Sequence, residues 1–363
     1  MKKFYGIIIT VLCCALLAFT ACGRDGGANG GGGGNGGTDG QDVTFTFYVP
    51  DGAPALAIAK FIKEEDDLGL GHSVDYNVVS SNDISKYLNG AKGYGDFVIL
   101  PVNAASKLYK ANAEDPYKMA AVITHGNLFI MSTSENLTAE GLKGQVVGVI
   151  GEGLVPDLTL RAALSKAGLS DCIETGDSAA ADKITLNYFQ QASDMMPLLL
   201  SGKLSYGLLP EPAATTLETK AAAQGKTFYR LSLQDMYDEE SGEYPQAVLM
   251  VKSSVANEYP EVMSALGDKF TAAAEWAAAN PAEAVNAVNK NITDKEAGFT
   301  PSLQPSAVTA EVIRGCNIRW QVAADAKDDV KAYLADIINV GVGLDIPPAV
   351  QVVDDFFLTV SAA

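Results

Sequence analysis

The chain has 363 residues, and 44 aspartate and glutamate residues outnumber 26 lysine and arginine residues, which gives a formal net charge of −18. Nucleic acids and anionic membrane surfaces bind basic proteins, so this charge argues against both as direct partners. A chain of this length predicts two lobes rather than one small core.

The first 22 residues have the pattern of an export signal. Lys2 and Lys3 precede an apolar run over 6–19 that is too short to span a bilayer, and Ala21-Cys22 follows it. A cysteine directly after a small residue is typical of a bacterial lipoprotein signal, with Cys22 as the lipidated first residue of an extracytoplasmic protein. Plain secretion is the alternative. Residues 23–41 are mostly glycine, which predicts a flexible linker.

Strands and helices alternate in the next part of the chain. Val43–Val49 alternates apolar and polar residues, as a half-buried strand does, and Pro54 begins a helix that runs to about Lys63. The further elements predicted here are strands over 74–79 and 96–102 and helices over 84–88 and 104–110. This β-α-β-α-β-α order implies a parallel sheet.

The pattern is interrupted and then restarts. Residues 119–132 form a long extended stretch that is broken at 125–127. The strand Val146–Ile150 then leads through Gly151-Glu152-Gly153 into a helix beginning at Pro156, a geometry that aims free backbone N–H groups at one point. The next predictions are strands over 184–189, 206–209 and 227–233, helices over 193–200 and 212–223, and an acidic, solvated loop over 234–244.

The last part of the chain is predicted to be helical. The strand Ala247–Ser253 precedes it, and the predicted helices are 260–280, 281–290, 306–317, 328–340 and 348–360. Extended crossings near 128–132 and 246–252 flank the second β/α unit, so the second lobe is inserted into the first. We therefore predict lobe 1 over 42–130 and 250–363 and lobe 2 over 131–249, with a hinged cleft between them.

Five stretches of the sequence, in this order, resemble the substrate-binding proteins of bacterial ABC transporters. The most similar group serves nitrate, sulfonates, taurine and thiamine-precursor pyrimidines. The stretches are VPDGAPALAIAKF, GDFVILPVNAASKL, LKGQVVGVIGEGLVPDLTLRAALSKAGL, LSGKLSYGLLPEPAATTL and YPEVMSALGDKFTAAAEWAAANPAEAV, which span most of residues 43–290. The resemblance implies an α/β, two-lobed periplasmic-binding-protein-like fold of type II. It also implies a monomer that delivers its ligand to an ABC permease and its ATPase.

In such a fold the ligand lies between the lobes, at the carboxyl ends of strands and the N-termini of helices. The candidate ligand-binding residues all lie in such loops. In lobe 1 and at the first crossing they are Tyr48, Asp51, Gly52, Ala53, Asn103, His125 and Asn127, and in lobe 2 they are Gly151, Glu152, Gly153, Leu154, Asp157, Tyr188, Gln190 and Glu211.

The charges of these loops predict the class of ligand. They contain four carboxylates and no lysine or arginine. Like charges in a poorly solvated cleft repel an anion, so a neutral or amine-bearing ligand is expected, such as a thiamine-precursor pyrimidine stacked on Tyr48 or Tyr188. Two alternatives stay open. Asp157 stabilises only the N-terminus of its helix by interacting with the helix dipole, and Glu211-Pro212 forms only a structural turn between strand and helix. A sulfonate, taurine or nitrate then becomes the alternative ligand.

No residue cluster indicates catalysis or a cofactor. His72 and His125 are the only two histidines, they are far apart in the sequence, and neither has further ligands at metal-binding spacing. We therefore expect a binding protein without metal or cofactor, and not an enzyme. A sensory lipoprotein that acts without a permease is the alternative to a transport protein.

Overall fold

The computed structural model describes residues 43–293, 301–342 and 347–359. The predicted signal and glycine-rich linker lie outside these ranges. In the described residues the strands are β1 (Thr44–Pro50), β2 (Ser73–Val79), β3 (Phe97–Pro101), β4 (Tyr117–Thr124), β5 (Leu128–Ser132), β6 (Gln145–Ile150), β7 (Ile173–Thr175), β8 (Ile184–Phe189), β9 (Tyr206–Pro210), β10 (Tyr229–Ser232), β11 (Ala247–Lys252) and β12 (Ile318–Val322). The α-helices in the same ranges are α1 (Ala53–Ala57), α2 (Ala59–Glu64), α3 (Val102–Leu108), α4 (Val155–Lys166), α5 (Ala192–Ser201), α6 (Ala213–Ala222), α7 (Leu233–Tyr237), α8 (Ser253–Glu258), α9 (Pro260–Ala279), α10 (Pro281–Lys290), α11 (Ala310–Gly315) and α12 (Ala323–Val340).

The strands form two six-stranded sheets, one in each lobe. The first has the order β12-β4-β11-β3-β1-β2, and the second has the order β10-β5-β9-β6-β8-β7. Each sheet is mixed: β1 is parallel to β2 and β3, and β6 is parallel to β8 and β9, whereas β11 and β5 run antiparallel to their neighbours. The prediction of one α/β lobe inserted in another is confirmed.

The chain crosses between the sheets twice. Residues 125–127 connect β4 of the first sheet to β5 of the second, and residues 233–246 lead from β10 back to β11. The predicted boundaries at 130/131 and 249/250 fall inside β5 and β11. Backbone pairing assigns all of β5 to the second sheet and all of β11 to the first.

Besides a smaller hydrophobic cluster within lobe 2, around α5 and α6, two large hydrophobic clusters hold the described part of the fold together. One lies within lobe 1, where Phe47 stacks on Phe97 and Phe61 meets Phe270 edge to face. The other is continuous across both lobes, because α12 packs on α4 of lobe 2. The Thr159 and Tyr333 hydroxyls, both fully buried, are 2.7 Å apart at this contact. The helix that follows β12 thus joins the two lobes.

The prediction of an acidic, solvated loop over 234–244 is wrong for its first part, where residues up to Tyr237 form α7. Ser232 caps α7 by accepting a hydrogen bond from the Asp235 N–H, and Gln234, Tyr237 and Tyr244 are buried. Tyr244 stacks on Tyr333 of α12 with ring centroids 5.5 Å apart. The segment is rich in acidic residues, which indicated a solvated loop, but its two tyrosines pack against Tyr333 of α12.

The prediction of an all-helical C-terminal region is wrong at two places. Residues 318–322 form β12, which pairs antiparallel with β4. The predicted helix over 348–360 is absent from residues 347–359, which contain only a 3-10 turn at Asp354–Phe356. The Leu358 N–H donates to the Met119 carbonyl of β4 and Phe356 is fully buried, so a backbone hydrogen bond to the sheet and the burial of Phe356 fix the conformation of this segment.

None of the helices in the described ranges combines the length and the hydropathy that a membrane span needs.

Candidate functional site

The carboxyl ends of β1, β3 and β4 lie along one edge of the first sheet. β1 and β3 are parallel, and β4 points the same way because each of β3 and β4 is antiparallel to β11. The corresponding ends in lobe 2 belong to β6, β8 and β9, which are also parallel. All the predicted site residues therefore lie on or beside these strand ends.

Asp157, in the first turn of α4, is completely buried and fully paired within lobe 2. Its Oδ1 accepts from Arg161 Nε at 2.7 Å and from the Tyr188 hydroxyl at 2.9 Å. Its Oδ2 accepts from the Gly153 N–H at 2.9 Å. The carboxylate thus ties the loop after β6 to α4 and β8. Two further predicted residues, Gly153 and Tyr188, have their polar groups engaged in the same network.

Glu211 is likewise buried and paired. Arg230 Nη1 donates to its Oε1 at 2.5 Å, and Thr215 donates to both oxygens through its hydroxyl and backbone N–H. The other side of the Arg230 guanidinium pairs with Glu218. The Glu211 backbone N–H donates to the Asn127 carbonyl at 2.9 Å, so this corner also joins β9 to the first crossing.

These contacts change the electrostatic argument made from the sequence. The loops themselves contain no basic residue, but Arg161 pairs with Asp157 from the next turn of α4, and Arg230 reaches Glu211 from β10, which is separated from β9 by β5. A charge paired in this way contributes little net field to a cleft. Of the four carboxylates in these loops, Asp157 and Glu211 are thus paired with arginines, whereas Asp51 and Glu152 have no basic partner among the described residues.

The remaining predicted residues of lobe 2 are more exposed. Glu152, Leu154 and Gln190 are exposed, and Leu154 retains 45% of its surface. Gly151 has a φ of 65°, and a Cβ atom there would lie 2.3 Å from the Leu154 side chain, so only glycine fits this turn. Its N–H donates to the Phe189 carbonyl, which fixes the loop after β6 against the end of β8.

At the end of β1, Asp51 has one paired and one unpaired oxygen. Oδ2 accepts from the Ser302 N–H at 2.6 Å, whereas Oδ1 is buried with no partner. Burial raises the pKa of this carboxyl above its ordinary value. Gly52 adopts a φ of 111°, and a Cβ there would contact Ser302, while Ala53 is buried at the start of α1.

Tyr48 and Asn103 both make contacts within lobe 1. The Tyr48 ring stacks on Tyr87 with centroids 3.8 Å apart. The Asn103 side-chain N–H donates to the Pro348 carbonyl at 3.2 Å, so it holds the C-terminal segment against α3. The Tyr48 ring therefore already has an aromatic partner on one face.

The two crossings between the lobes contain a different kind of site. Several side-chain atoms here are buried and have no hydrogen-bond partner: Thr124 Oγ1, His125 Nε2, Asn127 Oδ1, Tyr244 OH and Gln246 Oε1. His125 and Asn127 are predicted site residues, whereas sequence reasoning missed the other three. Tyr244 and Gln246 lie at the end of the return crossing, just before β11, and this position next to a crossing is the sequence signal that they share with His125 and Asn127.

Two surface cavities, each of about 400 Å³, are lined mainly by helices. One is lined by α9, α11 and the start of β12, and the other by α2, α10 and the residues that follow them. Within the described ranges, no cluster of three or more histidine, cysteine, aspartate or glutamate side chains is placed to hold a metal ion.

No protein-family model and no curated protein matches the sequence. Its fold, however, is similar to several solved structures. An ABC transporter protein from Parabacteroides distasonis is 22% identical with a TM-score of 0.65, over 88% of this chain and 99% of that chain. The aliphatic sulphonate binding protein SsuA from Escherichia coli is 13% identical with a TM-score of 0.59, over 88% and 95%.

A third similar structure is the alkanesulfonate-binding protein SsuA from Xanthomonas axonopodis pv. citri bound to MOPS. It is 12% identical with a TM-score of 0.53, over 82% of this chain and 93% of that chain. At these identities the similarity establishes the fold and not the ligand. The chain has the two-lobed periplasmic-binding-protein-like fold that the sequence predicted.

Proposed function

We propose that this protein is an extracytoplasmic solute-binding protein of an ABC importer. It captures a small nutrient between its lobes and delivers it, as a monomer, to the permease and ATPase subunits, while a lipid on Cys22 anchors it to the membrane. The observation that carries the proposal is the set of buried, unpartnered polar atoms at the crossings of a two-lobed fold. Such atoms mark hydrogen bonds that remain to be made.

The ligand is a neutral or amine-bearing molecule, such as a heteroaromatic of the thiamine-precursor pyrimidine type. Asp51 Oδ1, Asn127 Oδ1 and Gln246 Oε1 are all acceptors without donors, and an amino group supplies donors. A sulfonate or nitrate needs positively charged hydrogen-bond donors, and none of these unpartnered atoms is one.

A sulfonate, taurine or nitrate is the second candidate ligand. The observation that favours it is Arg161, whose side chain is 15% exposed beside the N-terminal turn of α4. A helix N-terminus and a guanidinium both attract an anion. Anion binding at Arg161 is disfavoured by Asp157, because the Asp157 carboxylate already accepts the hydrogen bond from Arg161 Nε.

Thermal shift followed by calorimetry of the purified protein tests both candidates. The panel comprises an aminopyrimidine, taurine, ethanesulfonate and nitrate. A ligand present at 100 times its dissociation constant adds about 2.7 kcal/mol of stability, which raises the melting temperature measurably. A shift with the aminopyrimidine supports the ligand proposed first. Chemical turnover of any compound, or no binding across the panel and a wider nutrient library, would contradict a solute-binding role.

A further inference from the structure

Five residues at the two crossings carry the unpartnered atoms, and we call them the crossing cluster: Thr124, His125, Asn127, Tyr244 and Gln246. Gln246 donates its backbone N–H to the Thr124 carbonyl at 2.9 Å, so the two crossings are directly joined. A Cβ atom on Gly126 would lie 2.7 Å from a Tyr244 ring carbon. The glycine therefore lets the first crossing pack against the tyrosine of the second.

Tyr244 is held rigidly within this cluster. Its ring stacks on Tyr333 and meets Tyr237 edge to face at 5.7 Å, and only 2% of its surface is exposed. The Asn127 main chain and the Thr159 hydroxyl lie near its hydroxyl, yet neither contact has hydrogen-bond geometry. The hydroxyl is thus fixed in place without a partner.

The cluster carries no formal charge. Four of its members are neutral by nature, and burial together with the nearby Arg319 lowers the pKa of the His125 imidazole to about 3. Arg319 itself pairs with Glu243. Buried polar side chains without partners are rare in native proteins, and five at one junction need a common explanation.

We infer that the crossing cluster binds the uncharged hydrogen-bonding edge of the ligand, with Tyr244 and Gln246 as specificity-determining residues. This rests on the proposed function and narrows its ligand class to an uncharged group that carries both N–H donors and an acceptor, as in an aminopyrimidine or a carboxamide. The Asn127 and Gln246 oxygens accept the N–H donors, and the Tyr244 hydroxyl donates to the acceptor. Because the residues come from both crossings, the ligand bridges the two hinge segments.

Two matched variants test this inference. Tyr244→Phe removes an unpaired hydroxyl, and Tyr333→Phe removes an equally buried hydroxyl from the stacked partner, where it is bonded to Thr159. We expect Tyr244→Phe to leave the melting temperature of the free protein unchanged or raised and to weaken aminopyrimidine binding about fivefold or more. We expect Tyr333→Phe to lower the melting temperature by about 2 °C and to leave the affinity unchanged.

Other outcomes separate this inference from the proposed function. If Tyr244→Phe lowers the melting temperature as much as Tyr333→Phe and the affinity is unchanged, the hydroxyl is structural and the inference is overturned, while the protein remains a solute-binding protein. Wild-type binding of ethanesulfonate alone also overturns the inference, because it contradicts the uncharged ligand class. If the wild type binds no compound, the proposed function fails, and the two melting temperatures still decide whether the Tyr244 hydroxyl is unpaired.

Discussion

The strand ends of lobe 2 and the crossings between the lobes use their buried polar groups in opposite ways. In lobe 2, Asp157 and Glu211 are surrounded by arginine, hydroxyl and backbone donors. At the crossings, polar atoms of Asn127, Tyr244 and Gln246 are equally buried and have no partner. The lobe 2 carboxylates therefore use their hydrogen bonds to hold loops in place, whereas the polar atoms at the crossings can still form hydrogen bonds with a ligand.

This difference shows that residue type and position at a strand end do not by themselves identify a ligand contact. A buried carboxylate costs several kcal/mol unless it is paired. Here Arg161 on the same helix pairs with Asp157, and Arg230 on another strand pairs with Glu211. A small neutral group left unpaired costs less, and such a site can remain open for a ligand. We therefore place the hydrogen-bonding centre of the proposed site at the crossings.

The largest effect is expected from breaking the lobe 2 network at Arg230. Arg230→Met leaves Glu211, which is 3% exposed, as an unpaired buried charge. We expect the free energy of unfolding to fall by about 3 to 5 kcal/mol, as measured by urea denaturation.

Lys63→Met is the matched control for Arg230→Met. Lys63 pairs with Glu283, and both side chains are more than half exposed. This variant should change stability by less than about 1 kcal/mol. Equal effects of the two substitutions would show that Glu211 does not depend on its partner, and the contrast between the two regions would then be lost.

A smaller, pH-dependent effect is expected at the crossings. The pKa of His125 is about 3 in the folded protein and 6.5 ordinarily, so between these values the unfolded chain takes up a proton that the folded protein does not. The contribution of His125 to stability is complete above pH 6.5 and is lost progressively as the pH falls to about 3, at roughly 1.4 kcal/mol per unit of pKa difference.

His125→Asn removes this titrating group. In urea denaturation at pH 7 and pH 4, the wild type should lose more stability on acidification than the variant, by a few kcal/mol. Parallel pH profiles for the two proteins would indicate that the imidazole is accessible to protons in the folded state. It would then not belong to a buried, uncharged cluster.

The smallest effect on stability is expected at Glu152, an exposed carboxylate without a resolved partner in lobe 2. Glu152→Gln should change the free energy of unfolding by less than about 0.5 kcal/mol. Calorimetry should show a few-fold weaker binding of an amine-bearing ligand and no effect on a neutral one. A large loss of stability would instead show that Glu152 belongs to the hydrogen-bonded network around Asp157.

Sequence patterns predicted most of the fold because most strands, helices and turns depend on interactions between residues that are close in the sequence. The strand predicted over 184–189 is present with the same bounds, and the turn at Gly151 leads into α4 as its glycine and proline residues indicated. β12 and the extended segment at 347–359 were missed. Their conformations depend on pairing with β4, a contact between residues about two hundred positions apart.

The sequence by itself determined two α/β lobes, one inserted in the other, together with the approximate position of each crossing and the set of loops at the strand ends. Those features follow from apolar periodicity and from the turn preferences of glycine and proline, which act over a few residues. Only the tertiary structure decided which polar groups in those loops are already paired. Arg230 on β10 reaches Glu211 at the end of β9 across the intervening strand β5, and Tyr244 stacks on Tyr333 of α12, so these contacts depend on tertiary packing. The Asp157–Arg161 pair is different, because its two residues are one helical turn apart on α4 and their spacing is visible in the sequence.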